Sequence, residues 1–267
     1  MIDSHVHLWR LGRNGCTWPT PDFVPIYRDF ALDDLADVTG KAGVGQAILV
    51  QSQESDADTA WLLSLPAHPL IAGVVGWTDF TAADAPSAIG RLASNARLRG
   101  LRPMVQDREA DWYDGRELDP AFAAMTELQL VLDALVRPKH LPSLLRLAQR
   151  HPNLGIVIDH AAKPVIPDLN SWGQQIDMLA GLPNVSCKAS GLLTELPPGA
   201  PADAVGPIFD RLWNAFGPAR LLWGSDWPVL NLAGDYGSWL DQSRHLVPSA
   251  HHEAVFDSNA RRIYGIQ

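Results

Sequence analysis

Residues 2–15 read IDSHVHLWRLGRNG, an apolar run that carries two histidines and then gives way to a polar segment. The apolar part, residues 2–8, predicts a short buried β-strand. A doubly wound open sheet usually places a glycine-rich phosphate turn with the pattern GxGxxG directly after its first strand. The segment LWRLGRNG at residues 8–15 lacks that pattern. The start of the chain therefore favours a closed barrel over an open sheet.

Seven further apolar runs follow, and helix-like stretches lie between and after them. The eight predicted strands are residues 2–8, 46–50, 71–77, 98–105, 130–136, 154–158, 185–189 and 221–223. The predicted helices are residues 32–42, 58–65, 85–96, 120–128, 139–150, 171–182, 203–216, 235–246 and 250–263. Several runs are apolar on both faces, as a parallel sheet covered by helices requires. This alternation predicts an α/β fold, a (β/α)8 TIM barrel, as one domain over residues 1–267.

The composition is that of an ordinary globular protein. Lys plus Arg is 21 and Asp plus Glu is 30, and the resulting net charge of −9 argues against nucleic acid as a partner. The sequence contains no run of 18 or more apolar residues, so no membrane span is predicted. Residues 1–7 do not resemble a secretory signal. Two cysteines, Cys16 and Cys187, are too few for a disulfide scaffold. They indicate a reducing, cytoplasmic setting.

Four side chains at predicted strand ends can bind a metal. Barrel enzymes carry their chemistry at the carboxyl ends of the strands. His5 and His7 lie two residues apart on strand 1 and point to one face, His160 follows strand 6, and Asp226 follows strand 8. Imidazoles and carboxylates are zinc ligands, and Asp226 can also take a proton from water. The four together predict one site, although each alone could be a strand cap, a core histidine or a turn residue.

Further strand ends supply candidates for catalysis or substrate binding. Lys188 within strand 7 is costly to bury without a partner, so we expect it to be catalytic or to reach the rim. Arg102 after strand 4 can bind a carboxylate or a hydroxyl-rich substrate. Gln51, after strand 2, is a further substrate-binding candidate. Asp159 precedes His160, and by strand alternation we expect it to point the opposite way.

Tryptophans flank the predicted site. Trp9, Trp77 and Trp227 adjoin its residues along the chain, and Asp79 follows two positions after Trp77. An indole face can pack against a sugar ring, whereas core packing is the commoner role of any single tryptophan. We predict that these four residues bind substrate. The loop at residues 10–28, which contains Trp18, is predicted to lie over the mouth as a lid or specificity loop.

Eight motifs cover nearly the whole chain: HVHLW at 5–9, GVVGWTD at 73–79, GLRP at 100–103, VIDH at 157–160, CKASG at 187–191, FGP at 216–218, LWGSDWP at 222–228 and NARRIY at 259–264. Together they resemble the amidohydrolase superfamily, and within it the lactonase branch of L-fuconolactonases, L-rhamnonolactonases and pyrone-dicarboxylate lactonases. The sugar-lactone subgroup fits better than the pyrone subgroup. The resemblance implies an amidohydrolase-like barrel that opens an aldonolactone such as L-fucono-1,5-lactone, with Asp226 as general base and His160 and Lys188 as catalytic partners.

Departures from the superfamily pattern bear on the metal. Two-metal members bridge their ions with a strand-4 lysine or an equivalent carboxylate, whereas strand 4 here offers Arg102. Strand 5 lacks the usual metal-binding histidine, and His140 lies four residues beyond it. A two-metal site is therefore not expected. The resemblance implies either a site that works without metal or one divalent ion, with zinc as the first choice, held by His5, His7, His160 and Asp226.

Two alternatives to a lactonase stay open. A metal-dependent decarboxylase of the same superfamily would need a tightly bound ion and an aromatic or enoic acid. A barrel that has lost catalysis would bind a metabolite or a partner protein. The favoured partner is a small-molecule sugar lactone. The sequence leaves open the ring size and stereochemistry of the lactone, the oligomeric state, and whether Asp133, His140 and Glu195 reach the pocket.

Overall fold

The computed structural model describes residues 1–166 and 168–267. Its eight strands pair in parallel and in chain order. They are β1 (Ile2–Val6), β2 (Gln46–Val50), β3 (Ile71–Gly76), β4 (Leu98–Leu101), β5 (Val131–Ala134), β6 (Ile156–Ile158), β7 (Val185–Ala189) and β8 (Leu221–Trp223). The sheet closes on itself because the Ser4 hydroxyl donates to the Trp223 carbonyl at 2.6 Å and the His7 amide donates to the Trp227 carbonyl at 2.7 Å. The predicted (β/α)8 barrel is confirmed.

Helices alternate with the strands around the barrel. They are α1 (Leu32–Ala42), α2 (Asp56–Ser64), α3 (Ala85–Ala93), α4 (Asp119–Glu127), α5 (Leu141–Arg150), α6 (Asn170–Ala180), α7 (Gly206–Arg220), α8 (Tyr236–Leu246) and α9 (Asn259–Ile263). Local signals set several ends: the Ser55 hydroxyl accepts from the Ala57 amide at the start of α2, and Gly43, with φ 70°, ends α1. Within the described ranges, no helix has the length and apolarity needed to cross a bilayer.

Most predicted elements are observed with ends shifted by one to four residues, and two of them illustrate why. The predicted strand 98–105 ends at Leu101, because Pro103 has no N–H with which to continue the ladder. The predicted helix 250–263 is observed as a continuous helical run over residues 249–263, which begins with a 3-10 turn (Ser249–His251) and contains a π-helical turn (Ala254–Ser258) before α9. The Asn259 side-chain amide donates to two carbonyl oxygens near the α7–β8 junction, at 2.7 and 2.8 Å, and this fastens the run to β8.

The apolar core has two layers. A large cluster fills the space between the sheet and the helices. A small cluster of alternate strand residues fills the inside of the barrel and continues into Ala260, Tyr264 and Ile266. Fully buried polar residues occupy the barrel as well, among them Asp133 on β5 and Lys188 on β7. The polar chemistry described below is therefore built on the inward-facing side of the strands.

An irregularity in β1 directs its histidines into the barrel. The side chain of Ile2 joins the interior cluster, so strict alternation would turn His5 outward. The register between β1 and β2 shifts between Asp3 and Val6, and Val6 packs in the outer cluster. Irregularities of this kind re-aim side chains beside active sites.

Candidate active site

Four side chains from three strand ends converge at the mouth of the barrel. His7 Nε2 lies 3.1 Å from His5 Nε2 and 3.2 Å from Asp226 Oδ1. His5 Nε2 is 3.6 Å and His160 Nε2 is 3.9 Å from the same carboxylate oxygen. All four side chains are at most 6% exposed. The structure thus brings together the four residues that the sequence indicated as metal ligands.

Left-handed backbone places two of these side chains. Strand β6 ends at Ile158, and every residue from His160 to Lys163 has φ between 51° and 61°. This turn brings the His160 ring to 4.5 Å from the His5 ring, centroid to centroid. Asp226 has φ 61°, and its amide donates to the His5 carbonyl at 2.9 Å. Such conformations cost about 1–2 kcal/mol per residue and persist only where the surrounding structure holds them.

Asp159 also points inward, which corrects part of the expectation from alternation. Val157, two residues earlier, lies in the interior cluster, so regular strand geometry carries Asp159 the same way. The left-handed turn then breaks the alternation and sends His160 to the same side. Asp159 lies 3.4 Å from His5 Nδ1 through Oδ1 and 3.4 Å from Arg102 Nη1 through Oδ2.

The hydrogen bond of His7 determines which atoms face the mouth. His7 Nδ1 lies 2.8 Å from the Val50 carbonyl, which can only accept, so Nδ1 carries the proton and Nε2 presents a lone pair. Arg102 Nη1, which can only donate, lies 3.4 Å from His5 Nε2, so His5 also presents a lone pair there. These two lone pairs and the Asp226 carboxylate oxygen lie close together, an arrangement that a cation among them would stabilise. Their separations of 3.1–3.6 Å match the roughly 3.3 Å between ligands of a tetrahedral zinc ion. This group can therefore hold a metal.

Burial and neighbouring groups set the protonation states. Burial opposes a charge on Asp226, yet the surrounding histidines, His160 foremost, hold the pKa of Asp226 below its ordinary value. Burial lowers the pKa of both His5 and His160, so these imidazoles are neutral at pH 7. An ionised carboxylate and neutral imidazoles are the forms in which these groups bind a divalent metal.

Lys188 lies beneath these residues, outside the cavity wall. Its fully buried ammonium is 2.5 Å from Asp133, 3.0 Å from Asp159 and 3.2 Å from His5 Nδ1. Burial disfavours its charge, but the two carboxylates raise the pKa of Lys188. Tyr264 donates to the other oxygen of Asp133 at 2.7 Å. This position corrects the expectation of a lysine that touches substrate: Lys188 pairs with Asp133 and Asp159 and lies against the inner side of His5.

Arg102 is the cation beside the histidines that reaches the cavity. Its Nη1 lies 3.4 Å from His5 Nε2, and its Nη2 donates to the Gln51 carbonyl at 2.5 Å. The Gln51 amide returns a hydrogen bond to the Arg102 carbonyl at 3.0 Å. Gln51 is fully buried and supports Arg102 from outside the cavity wall, so its position does not match the expected contact with substrate.

The site opens into a cavity of about 490 Å³. The loop at residues 10–28 covers part of it, as expected, through Thr17 and Trp18. The Gln53 side chain fastens this loop. Its Oε1 accepts from the amides of Thr17 and Trp18 at 3.0 and 3.3 Å, and its Nε2 donates to the Trp18 carbonyl at 2.7 Å.

Sequence reasoning missed four charged residues of the cavity wall, namely Glu54, Asp107, Arg108 and Lys163. Lys163 lies one left-handed turn after His160 and pairs with Glu195 at 3.0 Å. Arg108 pairs with Glu54 at 3.0 and 3.2 Å, and both line the cavity. All four follow the strand ends by several residues. A search that extends further into the loops after the strands would have included them.

Other expected substrate contacts lie elsewhere. Trp9 is buried and donates to the Arg28 carbonyl at 2.8 Å, and Trp227 packs edge-on against Phe30 with ring centroids 5.2 Å apart. Both belong to the core, which corrects their expected role, because proximity along the chain is not proximity to the cavity. Trp77 and Asp79 line a neighbouring cavity. The His140 Nε2 lies 3.1 Å from the Arg108 carbonyl, outside the site.

Comparisons with known proteins agree with this geometry. The chain is 44% identical over 277 residues to the L-fucono-1,5-lactonase of Burkholderia ambifaria, and the match covers 99% of this chain and 95% of that protein. It is 33% identical over 287 residues to the L-fucono-1,5-lactonase of Burkholderia multivorans, covering 99% of this chain and 96% of that protein. A crystal structure of a Burkholderia multivorans amidohydrolase with bound zinc is similar with a TM-score of 0.92 at 32% identity, covering 100% of this chain and 99% of that one. Residues 2–266 match the family model described as amidohydrolase. The barrel, the histidines and aspartate at its mouth and these full-length similarities together place the chain in the amidohydrolase family.

Proposed function

We propose that the protein hydrolyses a sugar lactone, an aldonolactone of the L-fucono-1,5-lactone type, to the open-chain sugar acid. The observation that carries this proposal is the convergence of an ionised Asp226 with three imidazoles at the end of a cavity whose wall also carries Arg102, Arg108 and Lys163. A carboxylate in that position can activate water, and the neighbouring groups can stabilise negative charge. The similarity to two L-fucono-1,5-lactonases over nearly the full chain supports the choice of substrate.

The charges around the cavity favour an uncharged ring over a dicarboxylate. Each of three cations in the wall of the described cavity already has a carboxylate close by. The pairs are Arg102 with Asp159 at 3.4 Å, Arg108 with Glu54 at 3.0 Å and Lys163 with Glu195 at 3.0 Å. A dicarboxylate substrate would have to compete with these pairs, whereas sugar hydroxyls need only accept hydrogen bonds. This balance supports a sugar lactone over a pyrone dicarboxylate.

The reaction follows from the positions of the cavity residues. Asp226 takes a proton from the water that attacks the lactone carbonyl. Arg102 and Lys163 line the cavity and can donate hydrogen bonds to the oxyanion, where the loss of one such donor typically costs about 10²–10³ in rate. When the ring C–O bond breaks, Asp226 returns the proton to the departing ring oxygen. The hydroxyl of water remains on the acyl carbon.

We propose that His5, His7 and Asp226 hold one divalent ion, zinc by preference, with His160 as the fourth neighbour. The support is the set of acceptors at tetrahedral spacing, and the similar zinc-bound structure agrees with it. Such an ion supplies positive charge that polarises a carbonyl and lowers the pKa of water. The chain contributes the positions of these ligands, through the buried Lys188 behind His5 and the Val50 carbonyl behind His7.

The test is a pH-indicator assay of the purified protein against 1,4- and 1,5-aldonolactones, led by L-fucono-, L-rhamnono-, L-galactono- and D-arabinonolactone. We expect fast hydrolysis of a few stereochemically related lactones, loss of activity on chelation and recovery with zinc. Rates no higher than the uncatalysed reaction would refute the proposal. Carbon dioxide release from an aromatic acid would then identify a decarboxylase. Full activity in the presence of chelator would refute the proposed metal requirement and leave the proposed lactone hydrolysis standing.

A further inference from the structure

A second cavity adjoins the one that contains the candidate catalytic residues. Its volume is about 390 Å³, and Glu54, Met104 and Arg108 belong to the walls of both cavities. Trp77 and Asp79 line it. These two residues come from the GVVGWTD motif, which the proposed function leaves unused. The second cavity lies between the loops that follow β3 and β4, on the same face of the barrel as the first.

The walls of the second cavity suit a polyhydroxylated ring. Trp77 and Trp112 are both partly exposed and offer indole surfaces that can cover the C–H face of a sugar. Asp79 Oδ1 accepts from the Thr81 amide at 2.8 Å and from the Thr81 hydroxyl at 2.6 Å. Both bonds go to Oδ1, so Oδ2 can accept from a ligand hydroxyl. Aromatic surface beside hydrogen-bonding groups is typical of small-molecule sites with a few orienting polar contacts.

The partition between the two cavities is easily opened. It consists of the Glu54–Arg108 ion pair and the side chain of Met104. The two charged side chains are 40% and 52% exposed, so water screens their attraction. Methionine is flexible and adapts to its surroundings. Rotation of these side chains would join the two cavities without moving a strand or a helix.

We propose that the second cavity is a subsite for a second sugar ring, and that the enzyme therefore also accepts aldonolactones that carry a glycosyl substituent. This inference rests on the proposed function, because the lactone ring still occupies the first cavity. The bond that breaks is the same ring ester bond, and water supplies its hydroxyl to the acyl carbon and its proton to the ring oxygen. The glycosidic bond stays intact.

The experiment starts from the lactone that the enzyme hydrolyses fastest, called the parent here, and from its glycosylated derivatives, one for each free hydroxyl. All are assayed with the pH indicator. We expect at least one derivative to be hydrolysed with a kcat/KM comparable to that of the parent. Trp112→Ala should lower kcat/KM for that derivative about tenfold, the scale of one aromatic contact, and do so through KM. The same variant should leave hydrolysis of the parent unchanged.

Two further variants make this result specific. Thr81→Trp places a large side chain at an exposed position in the wall of the second cavity and should block the derivative but not the parent. Trp213→Ala is the control. It removes an indole from α7, on the outside of the barrel, that is partly buried like that of Trp112, and it should change hydrolysis of neither the parent nor the derivative.

The outcomes separate this inference from the function on which it rests. Rejection of every derivative, with the parent hydrolysed, overturns the subsite and leaves the lactonase proposal intact. Equal losses for parent and derivative in Trp112→Ala or Thr81→Trp also overturn the subsite. If the wild-type protein hydrolyses no lactone, both proposals fall.

Discussion

Asp226 combines a left-handed backbone, with φ 61°, and a carboxylate that stays ionised among three imidazoles. Asparagine tolerates this backbone as aspartate does, so Asp226→Asn removes the charge without adding strain. We expect kcat to fall by about 10²–10⁴, the range for a lost general base, with the thermal unfolding midpoint of the metal-free protein little changed. Steady-state assays and calorimetry measure both. Asp241→Asn, at an exposed position in α8, is the matched control.

Turnover that survived in Asp226→Asn at the wild-type rate would show that another group accepts the proton. His160 would then be the next candidate, because its ring lines the cavity 3.9 Å from the Asp226 carboxylate. If His160 is the base, the acidic limb of the pH–rate profile of the variant should differ from that of the wild type.

Gly191 provides the space in which His160 and Asp226 meet. A Cβ at Gly191 would lie 2.6 Å from His160 Nδ1 and 3.1 Å from Asp226 Oδ2, and its φ is 60°. We expect Gly191→Ala to lower kcat by roughly 10²-fold, because a displacement of about 1 Å at a catalytic group has that effect. Gly199→Ala is the control: its φ is 80°, but no neighbouring atom lies within 4 Å of the added Cβ. Equal activity losses in both variants would show that backbone strain causes the loss, rather than the contacts of the added Cβ with His160 and Asp226.

Single residues were predictable where a polar side chain ends an apolar strand, as with His5, His7 and Asp226. The sequence did not reveal Lys163, because its approach to the cavity depends on a left-handed turn of ordinary residues such as Ala161. It also overvalued Trp9, because a position beside a site residue along the chain can face the outer core.

At the scale of elements, the junction of β2 and α2 depends on one buried carboxylate. Asp58 Oδ2 accepts from the amides of Ser52 and Gln53 at 2.8 and 3.2 Å. Burial raises the pKa of Asp58 to about 6 from an ordinary 3.8, although these hydrogen bonds oppose the shift. The folded protein therefore retains this proton at pH values where the unfolded chain has lost it. The stability that this group contributes is present below pH 3.8 and is lost as the pH rises through about 6.

Asp58→Asn should remove this dependence. Both backbone hydrogen bonds end on a single oxygen, which an amide oxygen can replace. Relative to the wild type, we expect the free energy of unfolding of the variant to increase between pH 4.5 and 8, by at most about 3 kcal/mol. Urea denaturation across this range measures the difference. Asp37→Asn, at an exposed position in α1, should show no such trend. A difference in unfolding free energy between Asp58→Asn and the wild type that did not change with pH would contradict the raised pKa of Asp58.

Regular elements were predictable from hydrophobic pattern, and irregular ones were not. Strands β2, β7 and β8 begin and end at the predicted residues. The predicted helix 250–263 forms, but its π-helical turn (Ala254–Ser258) has no counterpart in the hydrophobic pattern. The Asn259 contacts with carbonyls 41 and 38 residues away likewise leave no local pattern.

At the scale of the whole molecule, a bound ion would join the first strand to the last. His5 and His7 belong to β1 and its end, and Asp226 follows β8. An ion that binds only the folded state adds about 2.7 kcal/mol at a concentration of 100 times its Kd. For a chain of this size that raises the unfolding midpoint by about 5–10 °C. Calorimetry of chelator-treated protein, with and without added zinc, measures the shift.

His7→Asn tests whether this stabilisation comes from the proposed site, since it removes one ligand at the cavity wall. His245→Asn, at an exposed position in α8, is the control and should keep the full shift. A zinc-dependent shift that survived in His7→Asn would place the ion elsewhere on the molecule.

The closure of the barrel between Ser4 and Trp223 also has a consequence for biosynthesis. The two residues are 219 positions apart, so a ribosome that adds about 5–20 residues per second needs about 10–40 s to make the second after the first. During that interval the histidines of β1 have been made, but the aspartate that completes their site has not. The nascent chain cannot assemble the complete set of proposed ligands, and we expect the proposed site to take up an ion late, largely after translation.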